Sequence, residues 1–152
     1  METTTNRQLR ITKTLKAPID LVWEVWTKPE HISNWWGPKG FTNTIHKMEF
    51  KKGGEWKFTM HGPDGTDYTN RSIFREIVPM KKIVFEHFNP HFITTILFES
   101  KGKETLLDWT GLFDSEEILQ TIIKVHKADE GLKQNIERLE HYLKQNMTKN
   151  EN

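Results

Sequence analysis

The spacing of apolar residues changes twice along the chain. Near the start, Leu9, Ile11 and Leu15 alternate with mostly polar neighbours, which predicts a half-buried strand. Pro18 then ends this strand and suits the first turn of a helix, because its missing N–H is not needed there. The next apolar residues recur three and four positions apart and predict a first short helix: Ile19, Val22, Trp23 and Trp26.

A second short helix is predicted to begin at Pro29. Ile32 and the adjacent pair Trp35 and Trp36 would form its apolar side. Gly37 can supply a left-handed cap, and the proline after it prevents the helix from continuing. Two neighbouring residues cannot point the same way in any regular element. We therefore expect one indole to face inward and the other to lie nearer the rim of the fold.

From residue 42 to residue 113 the apolar period is two, with turn signals at regular intervals such as Gly53-Gly54 and Asn89-Pro90. Short connections between successive strands require antiparallel hairpins. The predicted strands are 43–50, 55–61, 67–78, 82–88, 92–99 and 103–113.

After Ser115, which suits an N-cap, the period becomes helical again. The stripe skips one place near Ala128 and Asp129, which predicts a kink or a break close to Gly131. Such an apolar stripe needs a large apolar partner, and the antiparallel sheet is the candidate. The residues of the stripe are Ile118, Ile122, Val125, Leu132, Ile136, Leu139 and Leu143.

These elements predict one α+β domain over residues 1–152, with an ordered core over about 8–143 and disordered termini. About seven antiparallel strands would curve around the C-terminal helix, and the two short helices would close one open end.

Composition narrows the function classes. The chain has no cysteine, which excludes disulfides and thiolate chemistry. Its net charge is +1 with both signs interspersed, so we predict no nucleic-acid partner. No segment is typical of a signal peptide or a membrane span, so we expect a cytoplasmic protein without membrane insertion. We predict no cofactor and no metal, because His87 and His91 are separated by Asn89-Pro90 and cannot share a helix.

The six tryptophans and nine phenylalanines supply a large apolar area for a core or for a cavity. Core and cavity use the same residue types, so the sequence leaves both readings open. His87, on the face of Ile83 and Phe85, is either a polar anchor in an apolar pocket or a histidine near a strand end. The candidate ligand-binding residues are Trp35, Trp36, Phe41, Trp56, Phe58, Phe74, Phe85, His87, Thr94, Ile96 and Trp109.

Several polar residues are interpreted as solvated instead. His31, His126 and His141 lie on polar sides of predicted helices. Asp108 should point away from its neighbours Leu107 and Trp109, toward solvent or a neighbouring strand.

Seven segments in order resemble one known group of proteins. They include "TKPEHISNWWGP" (27–38), "FKKGGEWKF" (50–58), "REIVPMKKIVF" (75–85), "KETLLDWTGLFDSEE" (103–117) and "EGLKQNIERLEHYL" (130–143). With them the chain resembles the helix-grip, START-related fold, in the branch similar to the activator of heat-shock-protein-90 ATPase. The resemblance implies a seven-stranded sheet that grips the C-terminal helix around an internal cavity.

The resemblance also implies a function, because proteins of this fold mostly bind apolar small molecules. We expect a non-catalytic binder of a small hydrophobic ligand, a lipid or an aromatic, polyketide-like compound, held between sheet and helix. Two alternatives stay open. One is a co-chaperone-like module that stimulates a heat-shock chaperone ATPase in a stress response, and the other is an enzyme of the cyclase or aromatase type.

Overall fold

The computed structural model describes the backbone of residues 4–151 and the side chains of residues 6–147. The sheet has seven antiparallel strands in the order β1-β7-β6-β5-β4-β3-β2. From β2 to β7 each strand pairs with the next strand in sequence, whereas β1 pairs with β7 at the opposite edge from β2. Every predicted strand is present. The strands are β1 (Gln8–Leu15), β2 (Thr42–Met48), β3 (Glu55–His61), β4 (Asp67–Val78), β5 (Lys82–Phe88), β6 (Phe92–Lys101) and β7 (Glu104–Phe113).

The helices complete the predicted helix-grip fold, which is confirmed. A short 3-10 helix, Thr4–Arg7, precedes β1. The helix α4 runs on to Glu151, and the predicted ordered core of about 8–143 stays a prediction. Residues 1–3 and 152 lie outside the described residues, so disorder there stays a prediction. The helices are α1 (Ile19–Thr27), α2 (Pro29–Ile32), α3 (Glu116–His126) and α4 (Ala128–Glu151).

The second short helix, α2, is shorter than its apolar pattern suggested. It ends at Ile32, so both neighbouring tryptophans lie in the turn that follows. The amides of Trp35 and Trp36 still donate to the Ile32 carbonyl, at 3.3 and 3.0 Å. Gly37 has φ +96°, the left-handed conformation predicted for it, and a Cβ there would lie 2.6 Å from Cε of Met60. The turn is therefore tightly packed against the sheet.

The predicted interruption of the C-terminal helix is a break at Lys127. This residue is left-handed, with φ 52°, and its amide donates to the carbonyl of Ile123. Gly131 does not cause the break. Its missing side chain lets α4 approach the turn after α2, because a Cβ there would lie 3.3 Å from Cγ of Pro38.

The prediction that the apolar stripe of α3 is buried is wrong in part. Ile118 is 40% exposed and Val125 is 64% exposed, whereas the buried residue of this helix is Leu119. The left-handed residue between the two helices changes the chain direction, so the phase of the stripe on α4 does not continue onto α3. On α4 the stripe is buried as expected, through Ile136, Leu139 and Leu143.

Trp35 fastens the turn after α2 to α1. Its ring is fully buried, and its Nε1 donates to the carbonyl of Val25 at 3.1 Å. The edge of Trp26 meets it with the ring centroids 4.8 Å apart. A buried indole with a satisfied N–H is a stable anchor, so the position of this turn is set from the α1 side.

Arg138 on α4 fastens the same turn from the other side. Its Nη1 donates to the carbonyls of Trp36, Gly37 and Pro38 at 3.0, 3.0 and 2.9 Å, and its Nη2 to that of Asn34 at 3.2 Å. Carbonyls at the end of a helical turn have no main-chain donor of their own. A single guanidinium therefore contacts four of these carbonyls, with the hydrogens of Nη1 shared among three of them, and ties the turn to the long helix.

We predict that Arg138→Met lowers the free energy of unfolding by about 3 kcal/mol. The aliphatic part of the side chain is kept, but several carbonyls lose charge-assisted hydrogen bonds, each worth roughly 1.5–3 kcal/mol. Chemical denaturation with unchanged m-value would measure the loss. Lys133→Met, on the exposed side of the same helix, is the matched control and should change stability by less than about 0.5 kcal/mol. Equal losses for both variants would contradict the anchoring role.

Candidate ligand cavity

The structure contains an apolar chamber of about 300 Å³ between the inner face of the sheet and the start of α4. Its walls come from the turn after α2, from β5, β6 and β7, and from α4. Its lining includes Trp36, Phe85, Thr94, Trp109, Gly111 and Leu132.

The chamber is hollow because two small residues face each other on the sheet. Thr94 of β6 and Gly111 of β7 are direct cross-strand partners. A Cβ on Gly111 would meet nothing nearer than Cε1 of Phe113, at 3.7 Å. The cross-strand neighbours of this pair are Phe85 of β5, beside Thr94, and Leu9 of β1, beside Gly111. The space that a side chain at position 111 would occupy is therefore left open.

Trp36 forms one wall of the chamber. Its ring stacks on Trp109, with the centroids 5.4 Å apart and the planes at 19°, and meets Trp56 edge-on at 5.1 Å. Trp36 is half-buried, whereas its neighbour Trp35 is fully buried. Trp35 therefore lies in the core, and Trp36 lines the chamber.

A wider vestibule of about 770 Å³ adjoins the chamber. The two spaces share seven lining residues, which are Pro38, Met60, Pro90, Phe92, Ile122, His126 and Gly131. The rest of the vestibule lining is more polar. It includes Phe41, Tyr68, Asn70, His87, Lys127, Glu130 and Gln134.

His87 is the most buried titratable group of the vestibule, with 6% of the residue exposed. Its ring stacks on Phe92, with the centroids 4.4 Å apart. Its Nδ1 lies 2.8 Å from the carbonyl oxygen of Pro90 and its Nε2 lies 2.8 Å from Oδ1 of Asn70. Burial lowers the pKa of His87 below the ordinary 6.5, so the imidazole is neutral at neutral pH.

His91, in the turn between β5 and β6, is in the opposite situation. Its Nε2 lies 2.7 Å from a carboxylate oxygen of Glu86, and its Nδ1 lies 2.8 Å from one of Asp114. Hydrogen bonds to these carboxylates raise the pKa of His91, and the same contact lowers the pKa of Glu86. Through these two contacts the His91 ring links the turn between β5 and β6 to the segment that leads into α3.

The structure brings six of the predicted binding residues to the two spaces. Trp36, Phe85, Thr94 and Trp109 line the chamber, and Phe41 and His87 line the vestibule. The others do not line either space. Trp35, Trp56, Phe74 and Ile96 are buried in the core, and Phe58 borders a separate hollow of about 450 Å³ with residues of the outer sheet face.

Other lining residues were not predicted, namely Met60, Asn70, Pro90, Phe92, Gly111 and Ile122. One of them carried a usable signal. An isolated glycine inside a strand, such as Gly111, often marks a place where another group approaches closely.

Three polar side chains can be compared with their expected positions. His31 is half-buried, not solvated, because its Nδ1 lies 2.7 Å from the hydroxyl of Tyr142. His126 is exposed as predicted, but it also borders the vestibule. Asp108 points to a neighbouring strand as predicted and accepts two hydrogen bonds from Arg10, at 3.0 and 2.8 Å.

Within residues 4–151, no helix is long and apolar enough to cross a membrane. Among the side chains that the structure describes, no three His, Cys, Asp or Glu residues come together as metal ligands.

A sheet curved around a terminal helix, with a lined internal space, defines this molecule as a START-like helix-grip domain. Residues 16–144 match the family model described as "Activator of Hsp90 ATPase homolog 1-like protein". The chain belongs to this family. No curated protein matches the sequence significantly.

Solved structures agree with this fold. A protein from Arthrobacter aurescens, solved by NMR, is 24% identical with a TM-score of 0.87, and the match covers 95% of this chain and 90% of that one. A crystal structure of a protein from Nitrosomonas europaea is 21% identical with a TM-score of 0.83, covering 94% and 97% of the two chains. The AHSA1-like protein from Aeromonas hydrophila is 17% identical with a TM-score of 0.70, covering 90% and 92%.

We predict that His87 and His91 titrate on opposite sides of the ordinary histidine pKa. NMR titration of the ring protons should place the pKa of His87 below 6.5 and that of His91 above it. A raised pKa means that protonated His91 stabilises the fold. This contribution is present below the unfolded-state pKa and is lost as the pH rises through the folded-state pKa.

Asp114→Asn should lower the pKa of His91, because one of its two carboxylate partners becomes neutral. Asp20→Asn, in the first turn of the distant α1, is the control and should leave both histidines unchanged. A pKa of His91 at or below that of His87 in the unsubstituted chain would contradict this assignment.

Proposed function

We propose that this chain binds a small, ring-bearing apolar molecule in the chamber, without catalysing a reaction on it. The observation that carries the proposal is the chamber itself, about 300 Å³ of space bounded by aromatic rings. This volume and the adjoining vestibule of about 770 Å³ lie in the size range of small-molecule sites, about 300–1,000 Å³.

A ligand in the chamber would gain dispersion contacts with the rings that line it. A planar apolar ligand beside the stacked pair of Trp36 and Trp109 and against Leu132 would also remove its own apolar surface from water, at roughly 25 cal/mol per Å². The polar side chains among these walls are those of Thr94, His126 and Asn135. Thr94 and Asn135 are buried. Sparse polar groups in an apolar site give a ligand its orientation.

A graded filling series at Gly111 tests the proposal. Native mass spectrometry of the purified protein would detect any copurified molecule, and ligand-observed NMR would screen planar aromatic and fatty-acyl compounds. We expect Gly111→Val to reduce the affinity for any hit at least tenfold, since its methyl groups would occupy the chamber. Gly111→Ala should have a smaller effect, because its Cβ has room, 3.7 Å from the nearest atom.

Thr110→Val is the matched control for the filling series. It adds no volume to the chamber, because the adjacent residue of β7 points to the opposite face of the sheet. Amide NMR spectra would verify that each variant is folded. The proposal is overturned if no compound in the panel binds, or if Gly111→Val binds the hits as well as the unsubstituted chain does.

A second candidate function is interaction with a heat-shock chaperone, which the description of the family model favours. The exposed apolar residues of α3, Ile118 at 40% and Val125 at 64%, would be the contact surface. If so, the chain should stimulate the ATPase activity of a heat-shock protein 90 from its own source. Val125→Glu should reduce this stimulation severalfold, while Gly111→Val should leave it unchanged. No stimulation at high molar excess would exclude this candidate.

A further inference from the structure

A continuous chain of polar groups lines one wall of the vestibule. It runs from the Pro90 carbonyl oxygen to Nδ1 of His87, across the imidazole to Nε2, on to Oδ1 of Asn70, and from Nδ2 of Asn70 to the carbonyl oxygen of Tyr68. The three contacts are 2.8, 2.8 and 3.0 Å long. Each is short enough to require a hydrogen between its two atoms.

At each end of this series of polar groups lies a backbone carbonyl oxygen, which can accept a hydrogen bond but cannot donate one. A neutral imidazole offers one N–H, and its other nitrogen only accepts. If the hydrogen is on Nε2, the Asn70 contact is made and the lone pair of Nδ1 faces the Pro90 carbonyl. If it is on Nδ1, the Pro90 contact is made and the lone pair of Nε2 faces Oδ1 of Asn70. Either tautomer leaves one contact without a hydrogen.

Rotating the Asn70 amide by half a turn moves the missing hydrogen to another contact but does not supply it. Nδ2 can then donate to Nε2 of His87, but Oδ1 faces the carbonyl oxygen of Tyr68, again lone pair against lone pair. The network is therefore one hydrogen short in every neutral arrangement. The Asn70–Tyr68 end is exposed and open to water, whereas an unmade hydrogen bond at the more buried His87 end is costly, so a donor that supplies the hydrogen there is favoured.

Protonation of His87 would also complete the network, but the surroundings oppose it. The ring is 6% exposed and stacks on Phe92, and burial is the first cause that lowers the pKa of His87. The positive charge of nearby His91 lowers it further. The missing hydrogen is thus more readily supplied by a ligand than by solvent protons at neutral pH.

We propose that the cavity selects ligands that carry a hydroxyl group, which donates the hydrogen that the His87–Asn70 pair lacks. This inference rests on the proposed function, because it assumes that a ring-bearing molecule occupies the chamber. The positions support such a molecule. Phe92 and Pro90 border both spaces, and His87 stacks on Phe92 and is bonded to the Pro90 carbonyl. A ring in the chamber can therefore extend a hydroxyl toward the pair at the edge of the vestibule.

Three probes with the same ring system test the proposal: 2-naphthol, 2-methoxynaphthalene and 2-naphthoate. Amide NMR titration at pH 7.5 would give each dissociation constant and show whether the shifted residues surround the chamber. We expect 2-naphthol to bind about tenfold more tightly than its methyl ether, the factor expected from a single hydrogen bond to a buried acceptor. Methylation adds apolar surface, so hydrophobicity alone would favour the ether.

The double variant His87→Phe/Asn70→Leu removes the network while it keeps a ring above Phe92. In this variant the preference for 2-naphthol over its ether should disappear. His46→Phe is the control, since His46 is exposed and its Nε2 contacts the hydroxyl of Thr59 away from the vestibule. That variant should keep the full preference.

A second measurement needs no variant and so does not depend on whether the double variant folds. The ¹⁵N shifts of the His87 ring should change when 2-naphthol binds, because its unbonded nitrogen acquires a hydrogen or its tautomer changes. The methyl ether should leave them unchanged.

Each other result would overturn the inference. Equal affinity of 2-naphthol and its ether in the chamber would reject the hydroxyl preference and leave the proposed binding function intact. Tightest binding of 2-naphthoate would mean that an acid completes the network by supporting protonated His87, which also rejects it. Failure of all three probes to bind would reject this inference together with the function on which it rests.

Discussion

The architecture depends on how one short turn satisfies its carbonyl groups. Residues 34–38 end the helical segment after α2, where carbonyl groups run out of partners inside the helix. Among these described residues only the Pro38 carbonyl has a main-chain donor, the amide of Phe41 at 3.2 Å. Arg138, reaching over from α4, donates to four of them, and Asn135 donates to that of Trp35 at 2.9 Å. This bonding sets the distance between the turn and the long helix. It therefore positions Trp36 over the sheet, and the chamber exists beneath it.

The same kind of aromatic surface fills the fold at one end and surrounds a space at the other. Near β3 and β4, Trp56 stacks on Phe58 at 4.5 Å and lies parallel to Phe74 at 6.0 Å, so the rings fill the interior between them. Near β6 and β7, the facing pair Thr94 and Gly111 is too small to reach the rings around it. The filled end and the hollow end of the fold therefore differ in the size of their cross-strand partners and not in the number of aromatic residues.

The polar wall of the vestibule gives this space its chemical character. His87 and His91 are four residues apart, yet burial keeps one neutral while two carboxylates favour the charged form of the other. The neutral ring leaves a hydrogen-bonding network that is incomplete by one hydrogen, beside an apolar chamber. An apolar body with one donor group is the kind of molecule that fits both features, and the family to which the chain belongs is compatible with a binding role.

The sequence by itself determined the order and type of the elements, because strand and helix periods and turn residues are local properties. It did not determine which face of α3 is buried, because the left-handed Lys127 separates the helical phase of α3 from that of α4. It also could not separate Trp36 at the cavity from Trp35 in the core, nor pair Thr94 with Gly111 or His87 with Asn70. Those relations depend on register and on contacts between distant segments, which only the tertiary structure decides. Whether an aromatic residue fills a core or borders a cavity is set by the size of what lies opposite it.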